Sequence, residues 1–496
     1  MPAGLQTRIR SERPPRGEET RRGLSHYAAT ASFLGVTGRM VSGEFAAFAQ
    51  LCRGEAAAFF DGRGPVHIAR APGRLDVMGG IADYSGSVVL EGTIGEAAFA
   101  GVQLRSDGLV RVWSFGAEQE GFSARRDVRL DDLRSADGYA GVRALFGTDP
   151  ATAWAAYLAG AFPVLEREGV AADLPGANLL LHSRVPVGAG VSSSAAIEVA
   201  TTFALDGALG LGLGGLHLAR LCQIVENEVV GAPCGIMDQV TCALGEAGKL
   251  LALRCRPHDL LGQHELPAGW HVYGLNSHVK HSVSGSRYGR ARTAAFMGLG
   301  IIAQHDAAGE VGRYLCNLSP QRYRERFRHL LPGKLRGAEF LERFGPHPDA
   351  VTTVDPEQTY SVRACTEHPI YESHRVEAFI ACLQRAREGD RRAGIEAGKL
   401  MYGSHWSYGA KCALGSRETD LLVRLVRDRG PDQGLLGAKI TGGGGGGTVA
   451  VLSDRNVTDT LHEVCAAYER AAGIRAEIIT GTSPGAYAAG RETVNV

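Results

Sequence analysis

No run of about twenty consecutive apolar residues occurs in this 496-residue sequence, so no membrane-spanning helix is expected. Charge of either sign is not in excess: 53 Lys and Arg stand against 53 Asp and Glu. That balance argues against nucleic acid or an anionic membrane as the main partner, although a local basic cleft would not register in a sum. The ten cysteines, scattered from Cys52 to Cys465, include no C-x-x-C pair and no His spacing suited to zinc. Reduced thiols in a cytoplasmic protein are therefore expected. There is no internal repeat, and no G-x-x-x-x-G-K-[ST] phosphate loop. The first residues lack the apolar centre of a secretory signal. Met1 to Gly23 holds six arginines, but Glu12, Glu18, Glu19 and Pro14-Pro15 interrupt them. A disordered tail over residues 1–40 is the expectation.

What remains is the composition of an ordinary globular protein, 44% hydrophobic and 21% charged, and too long for one core. Two domains are expected, over 41–260 and 261–496, with the boundary near Pro257 and Pro267. A helix is expected over Glu44 to Phe60, where Phe45, Phe48, Leu51, Ala56 and Phe59 recur. Short strands are expected at Val66 to Ala69 (stopped by Pro72-Gly73), Ser87 to Leu90, Leu109 to Ser114, Asn178 to His182, Lys249 to Leu253 and Thr448 to Leu452. Helices are expected over Ala195 to Leu205 and Leu216 to Val230, the second with Leu218, Leu221, Cys222, Val225 and Val229 on one face. Asn317 to Val362 reads as irregular.

Four motifs carry chemistry. Pro186-Val-Gly-Ala-Gly-Val-Ser-Ser-Ser-Ala-Ala196 joins a strand to a helix through glycines and hydroxyls. Such a loop makes a nest of backbone N–H groups at the positive end of a helix dipole, where a phosphate can sit. A Ser-capped helix after a flexible turn would look the same. Glu226 precedes Gly231-Ala-Pro-Cys-Gly-Ile-Met-Asp238-Gln, a carboxylate pair that could supply one metal ligand and one group facing a hydroxyl. A solvated glutamate and a helix-capping Asp form the plainer alternative. In Ala438-Lys-Ile-Thr-Gly442, glycine continues to Gly447 before Thr448. Its apolar flanks favour a buried turn beside another backbone over a linker. Finally, Ala69-Arg-Ala-Pro-Gly-Arg74-Leu-Asp-Val-Met-Gly-Gly-Ile-Ala-Asp83-Tyr84 presents an Arg and an Asp on a loop.

The order of these motifs resembles the GHMP kinase superfamily. P-G-R…D-Y, G-x-S-S-S-A, P-C-G-I-M-D-Q and K-x-T-G-G-G together look like the galactokinase family, and more closely still the kinase domain of plant L-arabinokinases. Tyr314-Leu-Cys-Asn-Leu-Ser-Pro320, Val225-Glu-Asn, His368-Pro-Ile-Tyr-Glu and Thr482-Ser-Pro-Gly-Ala486 extend the likeness over roughly residues 60–490. The plant proteins have a further glycosyltransferase-like domain upstream, for which this chain is not expected to have room. The resemblance implies a ribosomal-S5-like N-terminal α/β domain and a ferredoxin-like C-terminal α+β domain with the active site between them. It implies that Gly188, Gly190, Ser192, Ser193, Ser194 and Ala195 cradle ATP, and that Ser194 and Glu226 hold Mg²⁺. Asp238 and Arg74 would then be catalytic. Asp83, Gly80, Ile81, Gly235 and Tyr288 would line the sugar, with Gly442, Gly443, Gly444 and Gly445 turning beside them.

One departure sets the expected substrate. Galactokinases usually read G-E-H-T-D-Y, with the Glu and His directed at the exocyclic hydroxymethyl side. Here Gly80 and Ile81 occupy those positions. L-Arabinopyranose is galactopyranose without the hydroxymethyl group, and a galactose O6 buried without a partner would cost about 1–3 kcal/mol, roughly tenfold to a hundredfold in binding. A uronic acid fits worse, since no Arg or Lys near the pair replaces it. L-Arabinose 1-kinase activity is the expectation. A kinase of galactose or of a deoxy or amino sugar is the alternative, as is a non-catalytic sugar sensor on the same fold. The sensor reading predicts damage to Arg74, Glu226, Asp238 or the Ser loop, and all are intact.

Overall fold

A computed structural model describes residues 33–62, 64–279 and 287–496. The expected tail lies outside the described residues as far as residue 32. Helix α1 spans Phe33–Arg53, and from Phe45 to Val496 the chain packs as one compact unit. All ten cysteines are free thiols.

The first sheet is built on two long strands, β1 (Val66–Met78) and β2 (Val88–Arg105), paired antiparallel. They are buried along nearly their whole length, as a central pair covered on both faces must be. The aromatic face of α1 meets β2, where Phe48 stacks on Phe99 with ring centroids 5.4 Å apart. Next come β3 (Leu109–Phe115), β4 (Arg125–Arg129) and β5 (Gly176–Ser183); β3 and β5 run parallel, and β5 pairs β2. After β5 the chain forms the glycine–serine loop and α2 (Ser193–Leu209). Eleven residues of α2 are buried, and the four alanines among them, Ala195, Ala196, Ala200 and Ala204, let the helix lie close under the sheet. Helices α3 (Gly215–Ile224) and α4 (Met237–Leu244) follow. Strands β6 (Lys249–Arg254) and β7 (Asp259–Glu265) branch from β2.

At β8 (His271–Asn276) the chain enters a four-stranded antiparallel sheet. Helices α5 (Arg287–His305), α6 (Val362–Arg387) and α7 (Arg391–Cys412) precede its hairpin, β9 (Leu435–Ile440) and β10 (Thr448–Ser453). The order is β9-β10-β8-β11, with β11 at Glu477–Ile479, and β12 (Arg491–Val494) returns to the outer edge of β1. The architecture is the α/β plus antiparallel α+β class expected from the motifs.

Several local expectations need correction. β1 is not stopped at Pro72-Gly73: it runs on to Met78, with a register shift between Pro72 and Arg74. A Cβ at Gly73 would meet the Val191 carbonyl at 2.6 Å, so the bulge admits the glycine–serine loop against the strand. The helix expected to start at Glu44 starts at Phe33 and ends at Arg53, before Gly54. The helix expected through Val230 is α-helical only to Ile224, and Val225–Val230 is a π-helical turn. The stretch read as irregular holds short helices Pro320–Arg326 and Gly337–Phe344 and the ladder of Leu335–Arg336 with Thr359–Tyr360.

Candidate active site

The register of β1 and β2 fixes the centre of the site, because Arg74 and Asp76 stand on the same side of a pleated strand. Arg74 is buried and donates from Nε (3.0 Å) and Nη2 (2.7 Å) to one oxygen of Asp238, Oδ1. Its Nη1 donates to the Gly190 carbonyl at 2.8 Å. One guanidinium thus ties the carboxylate in the first turn of α4 to the glycine–serine loop. Burial alone would lower its pKa, but the acidic groups around it, Asp238 foremost, outweigh that and keep it firmly charged. Asp238 therefore does not cap its helix: the carboxylate points to Arg74 while Oδ2 stays outside those two bonds.

The loop itself has left-handed positions at three alternate residues: Gly188 (φ 72°), Gly190 (φ 73°) and Ser192 (φ 59°). Such turns aim successive N–H groups inward, which is the geometry of an anion nest. Ser192 is not a conventional helix cap; its hydroxyl is buried and has no hydrogen-bond partner among the described residues. The β9–β10 connection, Thr441 to Gly447, lies backbone to backbone against this loop. A Cβ at Gly442 would meet the Gly190 carbonyl at 2.5 Å, and one at Gly447 the Ala189 carbonyl at 2.6 Å. The glycine run is a close-approach device and not a linker. Gly443 lies beside Tyr288, and Gly445 donates its N–H to the Leu414 carbonyl at 2.5 Å.

Glu226 sits in the π-helical turn and is buried, so it is not a solvated glutamate. Gln239 Nε2 donates to it at 2.6 Å and to Glu198 on α2 at 3.2 Å. Burial, then the nearby Asp238 charge, pushes the Glu226 carboxyl up to about 7, against hydrogen bonds that include the Ser194 hydroxyl. Ser194 and Glu226 are thus in contact. Glu198, one turn along α2 from Ser194, was missed in the sequence reading; its Oε1 is buried without a hydrogen-bond partner among the described residues. This set of hard oxygen donors beside an anion nest suits a magnesium ion.

On the other flank, Asp83 opens a short 3-10 turn and is buried. Burial, then Asp238, lifts its carboxyl to about 6, opposed by the N–H groups of Tyr84 and Met237 and by Arg292. Gly235 is glycine because a Cβ there would fall on the Asp83 carboxylate. Tyr288 lies edge-on to Tyr84 at 5.9 Å, and its hydroxyl is held protonated by burial and Asp83.

Gly80 and Ile81 have structural reasons of their own. A Cβ at Gly80 would fall on the Tyr408 hydroxyl and the Asp76 carboxylate. That hydroxyl donates to Asp76 Oδ2 (3.0 Å) or to the Gly442 carbonyl (3.1 Å), and Lys439 Nζ donates to Asp76 Oδ2 at 2.7 Å. Ile81 is buried and holds φ 51°, a left-handed conformation unusual for a β-branched residue. The turn is clamped by α6: His368 Nε2 lies 3.1 Å from the Gly80 carbonyl, and Gly79 N–H donates to Glu372 at 3.3 Å. Burial lowers the His368 pKa to about 4, so a neutral ring donates there.

The expectation that no Arg or Lys stands near this pocket needs qualification. Arg292 on α5 lies over the Tyr84 ring at 5.3 Å and donates to the Cys234 carbonyl at 3.0 Å. Its other donors form a two-pronged pair with Asp349, at 2.8 and 2.9 Å. The stretch read as irregular thus supplies the counter-charge that fixes Arg292, and through Cys234 the loop bearing Gly235 and Asp238. Asp76, Glu91, Lys439, Tyr408 and this pair were all missed. The available signals were a Glu inside the apolar run Val88-Val-Leu-Glu91 and a Lys flanked by apolar residues in β9.

Residues 156–246 match the family model for the GHMP kinases N terminal domain. An L-arabinokinase of Arabidopsis thaliana is 39% identical over 493 residues, covering 88% of this chain and 47% of the relative, so the chain spans about half that protein's length. A galactokinase of Streptomyces coelicolor is 32% identical over 432 residues, covering 86% of this chain and 95% of the relative. The crystal structure of Lactococcus lactis galactokinase complexed with galactose superposes with a TM-score of 0.71 at 21% identity, over 91% of this chain and all of that one, which shows a shared fold.

Proposed function

We propose that this chain, which belongs to the galactokinase family of GHMP kinases, is an ATP-dependent kinase that phosphorylates the anomeric hydroxyl of L-arabinose. The observation that supports the chemistry is Arg74, bonded at once to Asp238 and to the Gly190 carbonyl. The Arg–carboxylate pair is thereby held against the loop that would cradle the ATP phosphates, with the N–H groups of Gly188 to Ala195 as donors. Asp238 Oδ2 is the oxygen left to orient the sugar hydroxyl and take its proton. In the transfer, the anomeric oxygen forms a bond to the γ-phosphorus and the bond to the bridging β,γ-oxygen breaks, giving ADP and L-arabinose 1-phosphate. Such reactions depend on alignment and charge stabilisation, and Arg74 supplies both. Ser194 and Glu226 would hold Mg²⁺, which when bound neutralises charge on the phosphates. Asp83, Gly235 and Tyr288 would line the remaining hydroxyls.

The choice of sugar rests on Gly80 and Ile81. No side chain leaves residue 80, and its Cβ direction is filled by Tyr408 and Asp76, while residue 81 offers only hydrocarbon. A sugar without a hydroxymethyl group asks for nothing more there. The related proteins named galactokinase make a galactose-like sugar the second reading. The test is kcat/KM with Mg-ATP for L-arabinose, D-galactose, D-fucose and D-glucuronate. Arabinose should lead; a higher value for galactose refutes the sugar assignment, and binding without turnover of any of them would favour a sensor.

A further inference from the structure

Behind Arg74 lies a group of charges that the phosphoryl-transfer reading leaves unused. In the β1–β2 ladder Asp76 stands directly opposite Glu91, and both are fully buried. Arg74 Nε is 3.2 Å from Glu91 Oε2, while Lys439 Nζ is 2.7 Å from Asp76 Oδ2. Counting Asp238, three carboxyl groups face two cations, so full ionisation would leave one uncompensated negative charge in a nearly dry site. Such a charge is costly, and a buried carboxyl usually binds a proton instead. The hydrogen bonding points the same way. Among the described residues, Asp76 Oδ1 and both Glu91 oxygens are buried without a hydrogen-bond partner, although these residues are cross-strand neighbours. One acidic hydrogen between them would turn two unsatisfied acceptors into a donor and an acceptor.

We propose that Asp76 and Glu91 share one proton in the resting protein, and that Glu91 is thereby a neutral positioning residue that props Arg74 while leaving its charge to Asp238. The proton sits on a Glu91 oxygen, donates to Asp76 Oδ1 and is not consumed in turnover. Every element around Glu91 fits. β1 presents Arg74 and Asp76, α4 Asp238, β9 Lys439, and α7 the Tyr408 hydroxyl. β6 presents Leu251 opposite Glu91, with the Cys255 thiol just beyond. On α6 the nearest acid, Glu372, is already taken by Arg375 and Ser404. Burial first, then Asp76, holds the Glu91 carboxyl well above the ordinary range, and Arg74 and Lys439 only partly oppose them. The positioning role rests on the reading of Arg74 and Asp238 as the reacting pair; the shared proton does not.

The proton is tested without sugar or nucleotide. A folded-state proton on a group that ionises near 4.5 when unfolded makes stability fall as pH rises above that value, until the folded group titrates. Urea unfolding between pH 5 and 8 should show this fall, and Glu91→Gln should reduce it by up to one proton's slope. An unchanged slope overturns the proposal. The infrared carboxylic-acid band of the unaltered protein at pH 7 covers the case in which the variant does not fold, and its absence is equally fatal. For positioning, Glu91→Ala should lower kcat about tenfold with little change in KM. Glu91→Gln should recover most of that loss and leave the acid limb of the kcat/KM profile where it was. If glutamine is as poor as alanine, or the limb moves to lower pH, Glu91 acts as a charge and the proposal fails. Loss of kinase activity in the unaltered protein would instead remove the functional reading and leave the urea and infrared results standing.

Discussion

Replacing Gly80 by alanine adds one carbon, and the structure gives that carbon nowhere to go. Its position is fixed by the backbone and does not depend on a rotamer, and it coincides with the Tyr408 hydroxyl and the Asp76 carboxylate. To make room, Tyr408 must give up the bonds linking it to Asp76 (3.0 Å) and the Gly442 carbonyl (3.1 Å). Each buried group left unsatisfied costs about 1–3 kcal/mol, so Gly80→Ala should lose roughly 2–5 kcal/mol of a stability of about 5–15 kcal/mol. Urea unfolding measures this directly. The sharper test is a double-mutant cycle with Tyr408→Phe, which removes the obstructing hydroxyl in advance. The two changes should then cost less together than the sum of their separate costs, with a coupling of about 0.5–3 kcal/mol. The same geometry bears on substrate choice: Gly80→Glu with Ile81→His, which restores the usual galactokinase pattern, should lose stability without becoming a good galactokinase. A Gly80→Ala protein as stable as the parent, or a fully stable double variant that prefers galactose, would refute the account of this turn.

Three further outcomes are expected. Asp238→Asn should lower kcat by at least about a hundredfold while ATP still binds, measured by calorimetry; an unchanged rate removes Asp238 from the reaction. Burial and Asp238 lift the Asp83 carboxyl to about 6, and once protonated it is a poorer acceptor for sugar hydroxyls than the carboxylate. The sugar KM should therefore rise as pH falls below 6, and Asp83→Asn should abolish that dependence. By the same shift this carboxyl destabilises the fold as pH rises from about 4 to 6 and adds nothing further above that, which urea titration can follow. Asp349→Ala would leave Arg292 charged, buried and unpaired, at a cost of about 3–5 kcal/mol; Arg292→Met with Asp349→Leu should recover much of it, and failure to do so would mean that the pair is not what holds Arg292.

The elements were legible where periodicity or turn chemistry is strong: β3, β5, β6, β10 and the helices around Ala195 and Leu218 fall close to where they were expected. β1 was cut short because proline and glycine usually end a strand, and a bulge that lets another loop dock is a tertiary event. The π-helical turn at Glu226 was invisible for a similar reason, since a widened turn follows the same side-chain pattern as an α-helix over so few residues. In the site, residues close in sequence were found and those brought together by folding were not. Tyr408 lies 332 positions from Asp76, and Lys439 lies 363 from it. Asp349 was missed because it falls in a stretch with little regular structure, where a lone acid carries no signal.

Those long-range bonds also explain why four weak motifs make one strong site. The glycine–serine loop reaches β1 through the Gly190 carbonyl on Arg74 (2.8 Å), and the Pro233–Asp238 turn through Asp238 on the same guanidinium (2.7 Å). The K-x-T-G turn reaches it through Asp76, whose N–H donates to Thr441 Oγ1 at 2.7 Å and whose carboxylate accepts from Lys439 at 2.7 Å. Each glycine run is there because two of these segments approach backbone to backbone, and neither approach has a purpose unless the other segment is present. Three of the motifs therefore converge on two residues of the fourth. A substitution at Arg74 should release the glycine–serine loop and the Asp238 carboxylate together, and one at Asp76 the glycine turn, whereas a change within one loop leaves the other two attached to β1.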